Sequence, residues 1–353
     1  MKPILVTSTA DGTGKTAITV ALGTLAAGSG LETGYMKPKG TRLESAVGKT
    51  RDEDPMLARE LLDIDAEMHE LEPVVYSPTF LTEALRGRSD PAELRTRIRE
   101  AYGELSADKD VMLLEGGKLR TGGTVDLTDA DIAELLDARV VLVTDYTQPA
   151  DVDDILAATE RLGDRLGGVL FNRVGGSVFD ELVETVVPYL EGRGIDTIGV
   201  LPQDEALGGV TVQELAEELG ADTLTPDASL ERRIERFVVG AMGTQGALEQ
   251  FRRTKDGAVI TGGDRSDIQT TALEASGVAT LVLTGGYRPS KAVLGKAASK
   301  NVPVLHVRSD TRTTIDRVEA VLRSGRTQRR ETIERMATLL EENVDVEGLL
   351  QAD

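Results

Sequence analysis

The chain contains no cysteine. That excludes a disulfide framework, a thiolate metal site and the cysteine nucleophile of glutamine amidotransferases. Histidine is almost as scarce: His69 and His306 are too few for a histidine-rich zinc site. No apolar run approaches the ~18 residues of a membrane-spanning helix. The opening stretch, Met1-Lys2-Pro3 and then Ile4 to Ser8, is too short for a signal peptide and lacks a cleavage site. A cytoplasmic location with no membrane partner is therefore expected. Lysine is sparse too, 11 against 29 arginines, and 60 acidic residues face 40 basic ones for a net charge of -20. Such a surface repels phosphate backbones, so nucleic acid is not expected as a partner. The acid is dispersed along the chain, as on halophilic proteins from salt-loaded cytoplasms.

What is present is a globular composition. With 353 residues, 40% hydrophobic and 28% charged, the chain is long enough for two domains with real cores. Strand-like runs at Ile4 to Ser8, Thr33 to Lys37, Val111 to Leu114, Val140 to Thr144, Gly168 to Phe171 and Thr197 to Leu201 alternate with helical stretches. Helices are expected over Lys15 to Ala27, Pro55 to Leu62 and Pro91 to Leu105. Asp54-Pro55 and Asp90-Pro91 read as N-caps before a first-turn proline. Thr211 and Glu214 read as a capping box. This alternation predicts an α/β fold, a parallel sheet covered by helices on both faces. Gly220 to Asp227 breaks the periodicity and predicts a domain boundary. A smaller α/β series follows, with strands at Ala258 to Thr261, Thr280 to Thr284 and Val302 to Val307. The expected division is 1–220, 227–325, and a C-terminal helix and tail over 326–353, helical to about Glu342 and frayed beyond.

The first strand meets the first helix through Ser8-Thr9-Ala10-Asp11-Gly12-Thr13-Gly14-Lys15-Thr16. Glycines allow a tight turn whose backbone N–H groups face a phosphate, and the helix points its positive end at the anion. Thr9, Gly12, Thr13 and Gly14 line that turn. Lys15 reaches the outer phosphates, and the Thr16 hydroxyl can ligate Mg²⁺. Thr9 stands where such loops usually carry their leading glycine. ATP with Mg²⁺ is the expected cofactor pair. Glu115, ending the strand Val111-Met112-Leu113-Leu114, can complete the metal shell with Thr16 and a carboxylate of Asp52-Glu53-Asp54. Lys37 reads equally as a solvated strand-end charge and as a contact for an anionic substrate. Asn172 reads equally as a turn residue and as a donor–acceptor pair for a base edge.

These residues together resemble the dethiobiotin synthetase family of P-loop proteins, over roughly residues 1 to 215. The resemblance rests on Thr9, Gly14-Lys15-Thr16, Lys37-Pro38, Asp54, Glu115-Gly116, Asn172 and Ile198-Gly199-Val200-Leu201-Pro202. It implies Lys15 and Lys37 as catalytic residues and Thr16, Asp54 and Glu115 at the metal. It also implies that Lys37 contacts the substrate and that Asn172 reads adenine. Ser8 and Asp11 depart from the family, and Lys118-Leu119 alters its glycine-rich run. Asp11 would set a negative charge against the substrate carbamate, so the nucleotide site is expected to be kept and the substrate site changed.

Thr261-Gly262-Gly263-Asp264-Arg265 follows one strand, and Thr284-Gly285-Gly286-Tyr287-Arg288 follows the next, 23 residues later. This region, with Phe237 to Met242, resembles the domain family named for the motif Asp-Arg-Thr-Gly-Gly (DRTGG). The two domains in this order resemble the N-terminal, non-catalytic part of long phosphotransacetylases. Two readings remain open for the turns. Their N–H groups and Arg265 and Arg288 converge on an anionic metabolite, or the glycines only make turns and the arginines pair with surface acids. The resemblance implies a regulatory protein of acetyl-CoA or acetate metabolism, homodimeric and without acetyltransferase activity. The alternative is an ATP-dependent ligase of the dethiobiotin synthetase type acting on a carboxylate or carbamate.

Overall fold

The computed structural model describes residues 3–10, 12–40, 43–46, 49–204, 207–254, 256–324 and 330–351. Asp11 and Thr327 lie outside the described residues. Contacts divide the chain into Met1–Ala206 with Thr327–Asp353, and Leu207–Arg326.

The first unit is built on six parallel strands: β1 (Ile4–Ser8), β2 (Thr33–Met36), β3 (Val111–Lys118), β4 (Arg139–Thr144), β5 (Leu166–Val174) and β6 (Thr197–Pro202). Their order is β6-β5-β4-β1-β3-β2. The chain steps from β1 to one side of the sheet, then crosses β1 to fill the other. That reversal opens a crevice at the carboxyl end of β1, where open α/β sheets bind ligands. The strands are nearly all buried and rich in Val, Leu and Ile, as a sheet covered on both faces requires.

Helix α1 (Lys15–Gly28) carries no charge after Lys15 and is buried over Thr16–Gly23 and at Ala26. A helix apolar all round needs cover on every side. The sheet supplies one side. The C-terminal helices α8 (Arg330–Asn343) and α9 (Val346–Gln351) supply the other, burying Ile333, Met336, Leu339, Leu340, Leu349 and Leu350. The tail is thus an ordered cover, with a second helix where fraying was expected. Arg335 donates to Asp204 at 2.7 Å, and a Cβ on Gly199 would stand 2.6 Å from the Asn343 carbonyl. Both contacts fasten the tail to the end of β6.

Helix α2 (Glu53–Leu61) is capped by Asp52, whose Oδ1 accepts from Asp54 N at 3.0 Å. The expected cap, Asp54, is the second residue of the helix, two positions inside. Asp90 does cap α3 (Pro91–Ser106), accepting from Ala92 N at 2.9 Å. Helix α4 (Asp129–Leu136) lies against the β3 side of the sheet.

The second unit has its own five-stranded sheet. It comprises β7 (Asp222–Thr223), β8 (Arg236–Val239), β9 (Gly257–Gly262), β10 (Val278–Thr284) and β11 (Val304–His306), in the order β7-β11-β10-β9-β8. Only β7 runs antiparallel to its neighbour. Helix α5 (Val212–Leu219) opens with the Thr211–Glu214 capping box and buries Val212, Leu215 and Leu219 with Ile234, Ala258 and Ile260. The boundary therefore falls between Ala206 and Leu207 rather than at Gly220 to Asp227. What read as a linker holds an edge strand, too short at two residues to show an alternating pattern. Helices α6 (Ser266–Ala272) and α7 (Thr311–Ser324) complete the elements used below.

Leu340→Ala should cost about 2–5 kcal/mol, the usual penalty for an unfilled core cavity, because Leu340 is fully buried among the tail helices. Urea unfolding measures it. A loss below about 0.5 kcal/mol would mean that the tail contributes no core.

Candidate phosphate-binding site

The turn between β1 and α1 is held open by its backbone. Gly12 and Gly14 take φ of +72° and +90°, a region L side chains avoid. Gly14 has a second reason: a Cβ there would stand 2.6 Å from Asn172 Nδ2. Gly14, at the N-cap of α1, has no side chain to close the helix start, and the first turn holds no acidic residue, so its leading N–H groups and positive end face the turn. Lys15 Nζ donates to Ser8 Oγ at 2.8 Å, folding back across the loop. The buried Thr13 hydroxyl has no hydrogen-bond partner. An uncapped helix start, a glycine turn, a lysine over it and an orphaned hydroxyl fit a phosphate group. Thr9 Oγ1 lies 3.0 Å from Thr144 Oγ1, at the rim of a cavity of about 160 Å³ that Lys118, Arg120 and Asp154 also line. Lys118 and Arg120 were not among the expected site residues.

Asn172 lies near the carboxyl end of β5, against the loop. At 2% exposed, it donates from Nδ2 to Thr13 O at 2.8 Å and accepts from Arg173 N at 2.9 Å. One amide hydrogen and one lone pair are thus engaged by backbone and brace the loop, and the other hydrogen and lone pair remain beyond these two bonds. Arg173, left-handed at φ +61°, adds a bond from Nη1 to Gly12 O at 2.6 Å.

Behind the loop, Thr16, Asp54 and Glu115 come together as expected, but around a cation of the chain's own. Lys37, 1% exposed, places Nζ 2.7 Å from Asp52, 2.5 Å from Asp54 and 3.3 Å from Glu115. Thr16 Oγ1 and Tyr35 OH each donate to Glu115 at 2.8 Å. Lys37 is therefore paired with three carboxylates rather than solvated. Burial pushes the Glu115 carboxyl up to about 7 despite the Lys37 charge beside it, with Asp54 and Asp52 adding repulsion. The donors Thr16, Asp54 and Glu115 are all oxygens, the chemistry Mg²⁺ takes. Among the described residues, no three or more His, Cys, Asp or Glu form an open cage for a metal. A neighbouring pair was missed in the sequence. Lys39 Nζ meets Asp129 at 3.0 Å and the carbonyls of Leu127 and Thr121, while Thr7 Oγ1 donates to Asp129 at 2.6 Å. A buried lysine two residues after another was its only signal.

In the second unit, the Thr-Gly-Gly turns use their own polar groups. Gly263 N donates to Thr284 O at 3.0 Å, Gly285 N to Ser309 O at 2.9 Å and Gly286 N to Val307 O at 3.2 Å. Thr261 Oγ1 donates to Gly240 O and Thr284 Oγ1 to Thr261 O, while Gln269 Nε2 donates to the carbonyls of Gly262 and Gly263. Gly263 admits no side chain, since a Cβ would stand 1.8 Å from Tyr287 O. Arg265 pairs with Asp267 at 3.2 Å. The turns lock strand ends together, which corrects the convergence of their N–H groups on an anion. Asp264 and Arg288 remain exposed.

Comparison with known proteins follows the same division. A family model described as an AAA domain matches residues 2–211, and one described as a DRTGG domain matches 214–321. Phosphate acetyltransferase of Pseudomonas putida is 24% identical over 99% of this chain and 52% of its own length. Cobyric acid synthase of Streptococcus sanguinis is 28% identical over 57% of this chain and 45% of its own length. The chain spans about half the length of the curated relatives it matches, in the phosphate acetyltransferases their N-terminal part. The solved CBS and DRTGG domains of a Clostridium perfringens pyrophosphatase, complexed with diadenosine tetraphosphate, are 19% identical with a TM-score of 0.27. That likeness covers 38% of this chain and 68% of that one. No helix among the described residues is long and apolar enough to cross a membrane.

The carboxylates also give the fold a pH signature. Glu72 is buried with Oε1 unpartnered, against Gly40, where a Cβ would stand 1.7 Å from that oxygen. Burial, and then repulsion by Asp52, push its carboxyl from 4.5 up to about 7. The folded chain thus holds a proton that the unfolded chain releases near 4.5, so stability falls as pH rises from about 4.5 to about 7 and levels beyond. Glu72→Gln should flatten that fall, by at most about 1.4 kcal/mol per pH unit, and leave the variant more stable than the parent at alkaline pH. Urea unfolding across this range checks it; an identical slope in both proteins refutes the assignment.

Proposed function

The chain belongs to the AAA-domain family through residues 2–211 and carries a DRTGG domain behind it, and on that premise we propose that it is an ATP-binding regulatory protein. The first unit takes ATP with Mg²⁺ as a switch, the second senses a small anionic metabolite, and the protein acts as a homodimer in acetyl-CoA or acetate metabolism. Its role is control rather than acetyl transfer. The observation that carries the reading is the uncapped start of α1 behind the Gly12–Gly14 turn, with Lys15 over it and the Thr13 hydroxyl unpartnered. In this role Thr9, Gly12, Thr13 and Gly14 surround the phosphates, and Lys15 offsets their charge. Thr16, Asp54 and Glu115 hold the metal, which screens phosphate charge when bound. The similarity to phosphate acetyltransferases across nearly the whole chain supports the metabolic setting.

A second reading, an ATP-dependent ligase of the dethiobiotin synthetase type, is favoured by the contact of Thr16 with Glu115 beside Asp54. It is weakened by Lys37, whose charge is already matched inside the protein. Incubation with ATP, Mg²⁺ and a diamine carbamate should yield no cyclic urea; its appearance would replace the regulatory reading with the ligase.

Lys15→Ala should weaken ATP binding by about 2 kcal/mol or more, through loss of a charge-assisted contact to the phosphates. Titration calorimetry on the folded variant decides this. Unchanged affinity would place the nucleotide elsewhere.

A further inference from the structure

A polar cavity of about 290 Å³ opens in the second unit at the carboxyl end of β11. His306 lies in its wall, and Val307, Arg308 and Ser309 continue that wall from the strand end. Gly220 and Asp222, before and at the start of β7, and Arg317 of α7 complete the part that matters. Without the edge strand β7 there would be no cavity wall on that side.

His306 is 6% exposed, and neither of its ring nitrogens has a hydrogen-bond partner. Asp222 Oδ2 lies 3.6 Å from Nδ1, near enough for attraction and too far for a hydrogen bond. Leaving a buried polar group unmatched is costly, and here two such groups sit on one ring. A ligand in the cavity is the remedy that the geometry offers. The charges say which kind. Arg308 is exposed on the lining. Arg317 is fixed at the wall by bonds to the carbonyls of Leu219 and Glu218, which close the end of α5. Two guanidinium groups thus share the lining with one carboxylate, in a chain whose net charge is -20. Forked guanidinium donors suit tetrahedral oxyanions, while the Ser309 hydroxyl is paired with Thr314 Oγ1 at 2.9 Å and shapes the wall. The volume falls just below the ~300–1,000 Å³ range of drug-sized pockets, which favours a small ligand.

We propose that this cavity, lined by His306, Arg308, Ser309 and Arg317, binds the phosphoryl group of a small phosphorylated metabolite. The site deepens the sensing role given above and rests on it for its meaning. It also gives the Thr-Gly-Gly repeat a part. Val307 O and Ser309 O, on the wall segment, accept from Gly286 N and Gly285 N. A ligand that moves the 307–309 segment pulls directly on the second glycine turn.

The chain's two histidines make the test clean, because His69 serves as an internal reference. The full chain is titrated with inorganic phosphate, with potassium chloride at matched ionic strength as control, and the histidine ring signals are followed by NMR. Phosphate should shift the His306 signals to saturation while His69 stays put, and chloride should not. Arg308→Gln should weaken the response about tenfold or more, whereas Asp222→Asn, which removes a like charge, should strengthen it. Arg308 is exposed, so its variant is expected to fold. Unmoved His306 signals, equal shifts with chloride, or full affinity in Arg308→Gln would each overturn the site. ATP titrations with and without phosphate separate the two levels. A saturable His306 response with no change in ATP affinity upholds the site and removes the sensing role.

Discussion

An ammonium group buried among three carboxylates organises the first unit. Lys37 leaves the end of β2, Asp52 and Asp54 come from the start of α2, and Glu115 lies in β3. Removing these charges from water is costly, and mutual attraction repays it only where the remaining hydrogen bonds are also made. Here they are: Tyr35 and Thr16 donate to Glu115, and Asp52 accepts from the backbone at Asp54. Burial, and then the repulsion of Asp54 and Asp52, hold a proton on Glu115 at unusually high pH despite the Lys37 charge. Such a cluster is weak evidence for net stability, since an apolar core of the same shape can be as stable. Its effect is positional. Thr16 is the second residue of α1, so the first turn of the phosphate-facing helix is pinned to the sheet from behind. Asn172 and Arg173 pin the same loop from its other side.

Much of this was legible in the sequence. The buried parallel strands announced themselves as valine-rich runs, and the Gly14-Lys15-Thr16 turn stood where the first strand meets the first helix. That Thr16 and Glu115 meet, with Asp54 nearby across Lys37, was readable from residue type and strand-end position. The misreadings share a cause: local signals were taken where a distant partner decides. Asp54 before a proline looks like a cap, but Lys37 draws its side chain inward and Asp52 takes the cap. Asn172 reads as a turn residue or a base contact, and the sequence does not show the bond from its amide to the carbonyl of Thr13, far away in the chain. The Thr-Gly-Gly turns look like open anion nests until the neighbouring strand ends supply acceptors for their N–H groups. In each case the sequence shows a polar group but not the distant atom that satisfies it.

The domain boundary failed for a different reason. Gly220 is a true helix terminator, left-handed at φ +60°, and the proline and small polar residues after it do break periodicity. A break in periodicity marks the end of an element, however, not the end of a domain. The informative signal was the apolar face of α5, which had to be buried somewhere, and the core that receives it lies later in the chain. The fully apolar α1 carried a similar message: it demanded more cover than one sheet face provides.

That cover arrives last. The strands of the first unit are synthesised before residue 207, but α8 and α9 follow the entire second unit. At about 5–20 residues per second, roughly 120 residues of intervening chain take on the order of ten seconds to emerge. During that interval the outer face of α1 lacks its helical cover. The order of synthesis therefore imposes a waiting period on the phosphate-binding half, and in it chaperone capture or self-association competes with completion. A covering segment placed before residue 207 would have avoided the delay.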